Sequence, residues 1–261
     1  VHFMKRAIVQ IGSETYSADL ERGYDLSIPL RRGAEQVNCF YAPPYRAEPV
    51  VAGDFTGSVE AGAPVNFFNV HINPHGNGTH TECVGHIAER QFAIHDCLKQ
   101  FFFAAELVSV YPQRQEDGDR VITVEQMRAL FGESPLKTEA LILRTLPNEE
   151  GKLHRSYSGT NPPYLEAKAV DWLVEAGVRH LLLDLPSLDR EEDGGKLAAH
   201  KAFWKYPHTE EAGRLDCTVT EMIYAASELP DGLYLLNLQI ISLDIDASPS
   251  KPVVYRLEKE A

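Results

Sequence analysis

Residues 140–185 constrain the fold more tightly than any other part of this chain. Ala140–Leu146 (ALILRTL) is a compact apolar run, and Val178–Leu185 (VRHLLLDL) is a second. Between them Asn161 and Pro162 supply an N-cap followed by proline at the first helical position. Leu165, Ala169, Trp172, Leu173 and Ala176 then recur at helical spacing, and Gly177 stands where a C′ glycine belongs. Strand, helix and strand within 46 residues make a βαβ unit, whose crossover pairs the strands in parallel. The expected class is therefore α/β, with a mixed sheet and flanking helices.

Other segments fit around this unit. A second helix is expected over Val124–Phe131, opened by a capping box of Thr123 and Gln126. The first 72 residues read as strands and long loops, with short apolar runs at Ala7–Ile11, Tyr24–Leu30 and Val65–Ile72. Leu233–Ile241 and Pro252–Leu257 read as two further strands. The acidic run Asp189–Asp193 (DREED), followed by two glycines, reads as a solvated loop. There is no internal repeat, low-complexity tract or Gly/Ser linker, so residues 1–261 are expected to form a single domain.

Charge removes several function classes. Lys and Arg number 25 against 38 Asp and Glu, a net charge of −13. That balance opposes a chain-wide surface for nucleic acid or anionic membrane, because phosphate binding needs a basic face. No apolar run approaches the roughly 20 residues that span a bilayer. The opening VHFMKRAIVQIGSE lacks the apolar core of a signal peptide, and its first methionine is residue 4, so residues 1–3 read as an addition ahead of it. Four scattered cysteines (39, 83, 97 and 217) form no CxxC pair and no disulfide framework, which points to a cytoplasmic protein.

The chemistry concentrates in one window. Half of the ten histidines (71, 75, 80, 86 and 95) fall within 25 of the 261 residues. The dense part is His75-Gly-Asn-Gly-Thr-His80-Thr-Glu82-Cys-Val-Gly-His86. On an extended strand His80, Glu82 and His86 share parity and project to one face. His75 has the opposite parity, but the Gly-Asn-Gly turn re-aims it. Imidazoles and a carboxylate converging from one short segment suit a transition metal. The bland alternative is a glycine-rich turn carrying incidental surface histidines. His71 fits a strand histidine and His95 a helix face, so both stay outside the candidate site. HExxH and GxSxG are absent, and Gly76-Asn-Gly78 lacks the third glycine of a dinucleotide loop. Cys83 lies at odd parity and reads as a buried small residue.

The segment HGNGTHTECVGH resembles the HxGTHxDxPxH motif of the cyclase family, metal-dependent hydrolases that include bacterial kynurenine formamidase and isatin hydrolase. Asp25-Leu-Ser-Ile-Pro resembles the family's DLSxP strand, and Asp184-Leu-Pro-Ser-Leu-Asp189 its TDxPSID stretch. His200 and Glu221, the latter in Thr-Val-Thr-Glu-Met, resemble the downstream histidine and glutamate of its metal site. The resemblance implies a swivelling β/β/α fold and a homo-oligomer, dimer or higher, acting on a small molecule with no nucleic-acid or membrane partner. It also implies one or two divalent ions, zinc or manganese. His75, His80 and Glu82 would hold the first, with Glu82 bridging; His86, His200 and Glu221 would hold the second or act on substrate as catalytic groups. On their own, the preferred readings are His200 as a helix-face histidine and Glu221 as an acid at a helix N-terminus, with Asp184 structural or the orienter of a ligand histidine.

The implied reaction is hydrolysis of an amide, formamide or lactam, arylformamidase-like and acting on N-formylkynurenine in tryptophan catabolism, with His86 as general base or proton shuttle. A metal-dependent lyase or cyclase, or a non-catalytic metal-binding module, is the alternative. Phe67, Phe68, Phe101–Phe103 and Trp204 are either aryl-stacking groups or core. Three departures from the motif stand out: one extra residue between His75 and His80, Glu82 in place of aspartate, and Val84-Gly85 in place of proline and one further residue.

Overall fold

The structure, a computed structural model, describes residues 5–33, 35–132 and 136–260; the reading of residues 1–3 therefore falls outside it. Nine strands form the main sheet: β1 (Arg6–Ile11), β2 (Glu14–Asp25), β3 (His80–Glu82), β4 (Phe102–Val110), β5 (Ala140–Thr145), β6 (His180–Leu183), β7 (Thr218–Glu221), β8 (Gly232–Ile240) and β9 (Ala247–Lys259). Among the described residues three longer helices accompany them, α1 (Val124–Phe131), α2 (Ala167–Glu175) and α3 (Ala198–Trp204), besides one short turn of helix at Ile94–Cys97. The strand order is β1-β2-β9-β8-β4-β5-β6-β7-β3, with β3 also pairing to β9. That last pairing closes seven strands into a barrel-like ring, leaving β1 and β2 as an extension. Strands β4 to β7 run parallel and the remaining pairings are antiparallel, as expected of a mixed α/β sheet.

The apolar runs explain the layering. In β5 and β6 every residue is buried, because alternate side chains serve two cores. Leu141, Leu143, Leu181 and Leu183 pack outward against Met127, Leu173 and Phe203 of the helices. Ala140, Ile142 and Leu182 point inward with Phe103, Leu236 and Val254, filling the ring. The capping box of α1 is as the sequence predicts, Thr123 accepting from the Gln126 amide N–H while Gln126 accepts from Thr123.

Several boundaries differ from expectation: the strand read as Pro252–Leu257 spans Ala247–Lys259, and that read as Val178–Leu185 spans His180–Leu183. Helix α2 starts at Ala167, not after Asn161, because Tyr164–Leu165 first pairs with Val121–Ile122. The strand expected over Tyr24–Leu30 ends at Asp25, whose carboxylate accepts the Ser27 N–H and hydroxyl and turns the chain aside. Phe68–His71, within the run read as Val65–Ile72, pairs with Arg46–Pro49 in a separate arm, where Val51, Val65, Phe67 and Val70 are exposed. No helix among the described residues is long and apolar enough to cross a membrane.

Candidate metal centre

The closing strand β3 carries the centre. His80 and Glu82 point into it, while Thr79 and Thr81 face away and bond to the β7 segment beside them: Thr79 donates to the Met222 carbonyl, and Thr81 and Thr220 share a hydrogen bond. Register places His80 opposite Glu221 of β7 and Glu82 opposite Ala247 of β9. Strand parity thus accounts for two of the three residues read together. The strand stops at Glu82, and His86 arrives instead from a short 3-10 turn, Val84–His86. His75 arrives from the Asn73–Gly78 turn, pinned where the Asn77 carboxamide oxygen accepts the Asn73 N–H and the Asn73 oxygen accepts the Gly76 N–H. Gly76 is obligatory in that turn, since a Cβ there would lie 2.2 Å from Ala42 Cβ.

Two further side chains enter from the carboxyl ends of the parallel strands. Glu221 ends β7, correcting the helix N-terminal reading, and its Oε1 accepts the Leu188 N–H. The next residue, Met222, has a left-handed φ of 51°, held by bonds from its N–H to Leu185 and to its carbonyl from Thr79. His200, on α3, is buried and faces the centre with Trp204 stacked 5.8 Å behind it.

Each of three histidines is anchored through one ring nitrogen and open at the other. His80 Nδ1 lies 2.9 Å from the Gly78 carbonyl, which only accepts, so Nδ1 carries the proton and Nε2 is free. His200 Nδ1 sits 2.6 Å from Asp189 and His75 Nε2 sits 2.7 Å from Asp246. The open nitrogens converge on two carboxylates: His200 Nε2 is 3.2 Å and His75 Nδ1 3.1 Å from Glu82, and His80 Nε2 is 3.4 Å from Glu221. His86 Nδ1 is 3.8 Å from Glu82.

These contacts are close without being aligned as hydrogen bonds. His80 Nε2, both Glu82 oxygens and His200 Nε2 are buried and have no hydrogen-bond partner. Buried polar atoms are almost always paired. Four such atoms gathered around one point are the pattern a bound cation satisfies. Two triads share Glu82: His75–Glu82–His86 and His80–Glu82–Glu221, each with donor atoms within 4.8 Å of one another.

The electrostatics of the cluster favour positive charge within it. Burial opposes charge on His75, but Asp246 and Glu82 override it and push its pKa up to about 10. Burial likewise opposes charge on His200, and Asp189 and Glu82 push it up to about 10. Burial would raise Glu82, yet His86, His200 and His75 hold it well below the usual carboxylate range.

All six residues singled out as candidate ligands (His75, His80, Glu82, His86, His200 and Glu221) are therefore brought together. His71 pairs with Glu48 on the arm, and His95 lies on a short helix bonded to the Leu243 carbonyl, both outside the centre. Asp184 orients no histidine: its carboxylate is taken by Thr145 and by Lys152, 2.7 Å away. That orienting role falls to Asp189, which is buried rather than solvated, and to Asp246, which carries no motif. Cys83 is buried, as expected. Of the aromatics, Phe67, Phe101 and Phe102 are exposed and Phe103 is core; Trp204 backs His200.

The family profile described as "Cyclase: Putative cyclase" matches residues 24–190. No curated protein matches the chain significantly. Among solved structures it is similar to isatin hydrolase A from Labrenzia aggregata, at 16% identity and TM-score 0.62 over 91% of this chain and 94% of that one. Isatin hydrolase A from Ralstonia solanacearum is similar at 16% identity and TM-score 0.61, covering 90% and 91%. A structure described as a predicted metal-dependent hydrolase from Bacillus stearothermophilus is similar at 15% identity and TM-score 0.60, covering 90% and 98%.

Proposed function

This chain belongs to the cyclase family, and on that premise we propose that it is a metal-dependent hydrolase that cleaves an amide, formamide or lactam C–N bond. The observation that carries the reading is the set of buried, unpartnered atoms on His80, Glu82 and His200 beside Glu221. His75, His80, Glu82, His200 and Glu221 would hold one or two divalent ions, zinc or manganese by the mixed imidazole and carboxylate donors. Bound there, such an ion supplies Lewis acidity, lowering the pKa of a water from 15.7 to about 7 and polarising a carbonyl.

The chain's own groups do the rest. His86 is partly exposed on the open side of the centre, its ring 4.3 Å from that of His75 and 5.4 Å from that of His200. It takes the proton from the water that attacks the carbonyl carbon and returns it to the leaving nitrogen. Glu221, fixed by the Leu188 N–H, and His200, fixed by Asp189, keep the buried wall rigid during that exchange. The names of the similar structures support an aryl lactam, with isatin as the first substrate to try; N-formylkynurenine is the second, on the resemblance of the motifs alone. The exposed apolar residues of the arm, Val51, Val65, Phe67 and Val70, support a homo-oligomer, which light scattering tests.

The experiment is turnover of both substrates by protein stripped with chelator and reloaded with Zn²⁺ or Mn²⁺. Metal-restored kcat/KM above about 10⁴ M⁻¹ s⁻¹ on either one is the expected result. Incorporation of one ¹⁸O from labelled water into the carboxylate product separates hydrolysis from a lyase. Equal rates before and after stripping would overturn the reading.

A further inference from the structure

Two of the three departures from the family motif, the shifted His75 and Gly85, lie against one residue outside the matched segment, Asp246. The extra residue before His80 shifts His75 by one position relative to the motif. Asp246 orients the His75 imidazole: its Oδ2 lies 2.7 Å from His75 Nε2 and 3.4 Å from His86 Nδ1. The segment is stitched to the centre by backbone. The Asp246 carbonyl accepts the Cys83 N–H, the Ile245 carbonyl accepts the Ile94 N–H, and Ala247 pairs with Glu82. Gly85 makes the approach possible, because a Cβ there would lie 2.3 Å from the Phe92 carbonyl and 3.0 Å from Asp246 Cβ.

The geometry points to Asp246 as a positioning residue that selects Nδ1 of His75 as the metal-binding nitrogen and compensates for the inserted residue, with Gly85 as its spatial permit. This rests on the metal-centre reading above. An imidazole offers two nitrogens, and the one that ligates is decided by what the other one bonds. A carboxylate at Nε2 keeps the proton there and turns the Nδ1 lone pair toward Glu82, 3.1 Å away. His80 and His200 are fixed the opposite way, through Nδ1, so they present Nε2. The centre thus combines one Nδ1 donor with two Nε2 donors. Only the Nδ1 donor depends on a residue outside the motif and the adjoining 184–189 stretch.

The test uses the full chain loaded with Zn²⁺, with affinity read by chelator competition and the His75 tautomer read by two-bond ¹H–¹⁵N NMR. Asp246→Ala and Asp246→Ser both fall short of Nε2; each is expected to weaken Zn²⁺ binding about 10–100-fold and to abolish the single Nε2-protonated state of His75. Asp246→Asn keeps an acceptor oxygen and is expected to restore that state and most of the affinity. Gly85→Ala pushes the segment away and is expected to reproduce the alanine loss, with no further loss in the double variant. Asp246 is partly exposed, so truncation spares the core, and circular dichroism checks the fold. Affinity within twofold of the parent in both truncations, with His75 still protonated at Nε2, would overturn the inference and leave the metal centre standing. Absence of Zn²⁺ and Mn²⁺ binding by the parent would overturn the metal reading itself and this inference with it.

Discussion

The Asp189 carboxylate grips His200 in two ways: Oδ2 lies 2.6 Å from the ring Nδ1 and also accepts the His200 N–H, while Oδ1 accepts the Ala199 N–H. One side chain therefore satisfies amides in the first turn of α3 and orients the imidazole that the helix delivers. Asp189→Ala is expected to cost about 1 kcal/mol in stability through the lost amide partner. It is expected to weaken metal binding about 10–100-fold through the freed ring. Urea unfolding of the metal-free protein and chelator competition measure the two losses separately.

Glu82 stands where the family motif has aspartate, and its neighbours are spaced for the longer arm. Its two oxygens lie 3.2 Å from His200 Nε2 and 3.1 Å from His75 Nδ1. Glu82→Asp withdraws the carboxylate by about 1.5 Å, one C–C bond, and leaves a buried gap. The expected result is weaker metal binding by about tenfold or more, since displacing a ligand costs no less than losing its support. Glu82→Ala and His80→Ala are expected to abolish metal retention and turnover together. Elemental analysis after dialysis decides, and parental metal content or rate in either alanine variant would remove these residues from the centre.

The runs Ala140–Leu146 and Val178–Leu185 contain the strands Ala140–Thr145 and His180–Leu183, because buried parallel strands are continuous apolar runs bounded by turn signals. His80 and Glu82 read correctly from strand parity. His86 reached the same centre by another route, because the chain leaves β3 after Glu82 as a 3-10 turn. His200 and Glu221 are recognisable only by resemblance, since closing the ring is what brings β7 beside β3. Asp189 was hidden in an acidic run whose first residue alone turns inward. Asp246, in Leu-Asp-Ile-Asp, has no local signal at all; the pairing of β9 with β3 makes it part of the site.

Lys152 and Asp184 form a buried pair beside the centre, at 2.7 Å, with Thr145 completing the bonds of both. Burial pushes the Asp184 carboxyl up, against the opposing pull of Lys152 and Thr145. Lys152→Met strands that carboxylate and is expected to cost about 3–5 kcal/mol near neutral pH. The cost is expected to shrink as pH falls and Asp184 takes up a proton. Lys152→Met with Asp184→Asn is expected to recover most of the loss, because no buried charge remains unpaired. Denaturant midpoints of the three variants between pH 8 and 5 test this. A single variant as stable as its parent at pH 8 would show the pair to be inert.

His180 gives the acid limb of stability a specific source. Its Nδ1 bonds the Thr218 hydroxyl, and Phe103 lies 3.9 Å from its ring. Burial, with Arg179 nearby, lowers its pKa from 6.5 to about 3. The folded protein thus keeps His180 neutral at a pH where the unfolded chain protonates it. More protons bound in the unfolded state means stability that is intact above pH 6.5 and falls as pH drops toward 3. Between pH 7 and 5 the contribution is about 2 kcal/mol. His180→Asn, which retains a group for Thr218 but does not titrate, is expected to remove that part of the acid sensitivity. Urea unfolding with chelator present keeps metal release out of the comparison. The difference between parent and variant should narrow by about 2 kcal/mol over that range, and parallel pH profiles would show that His180 is not the group responsible.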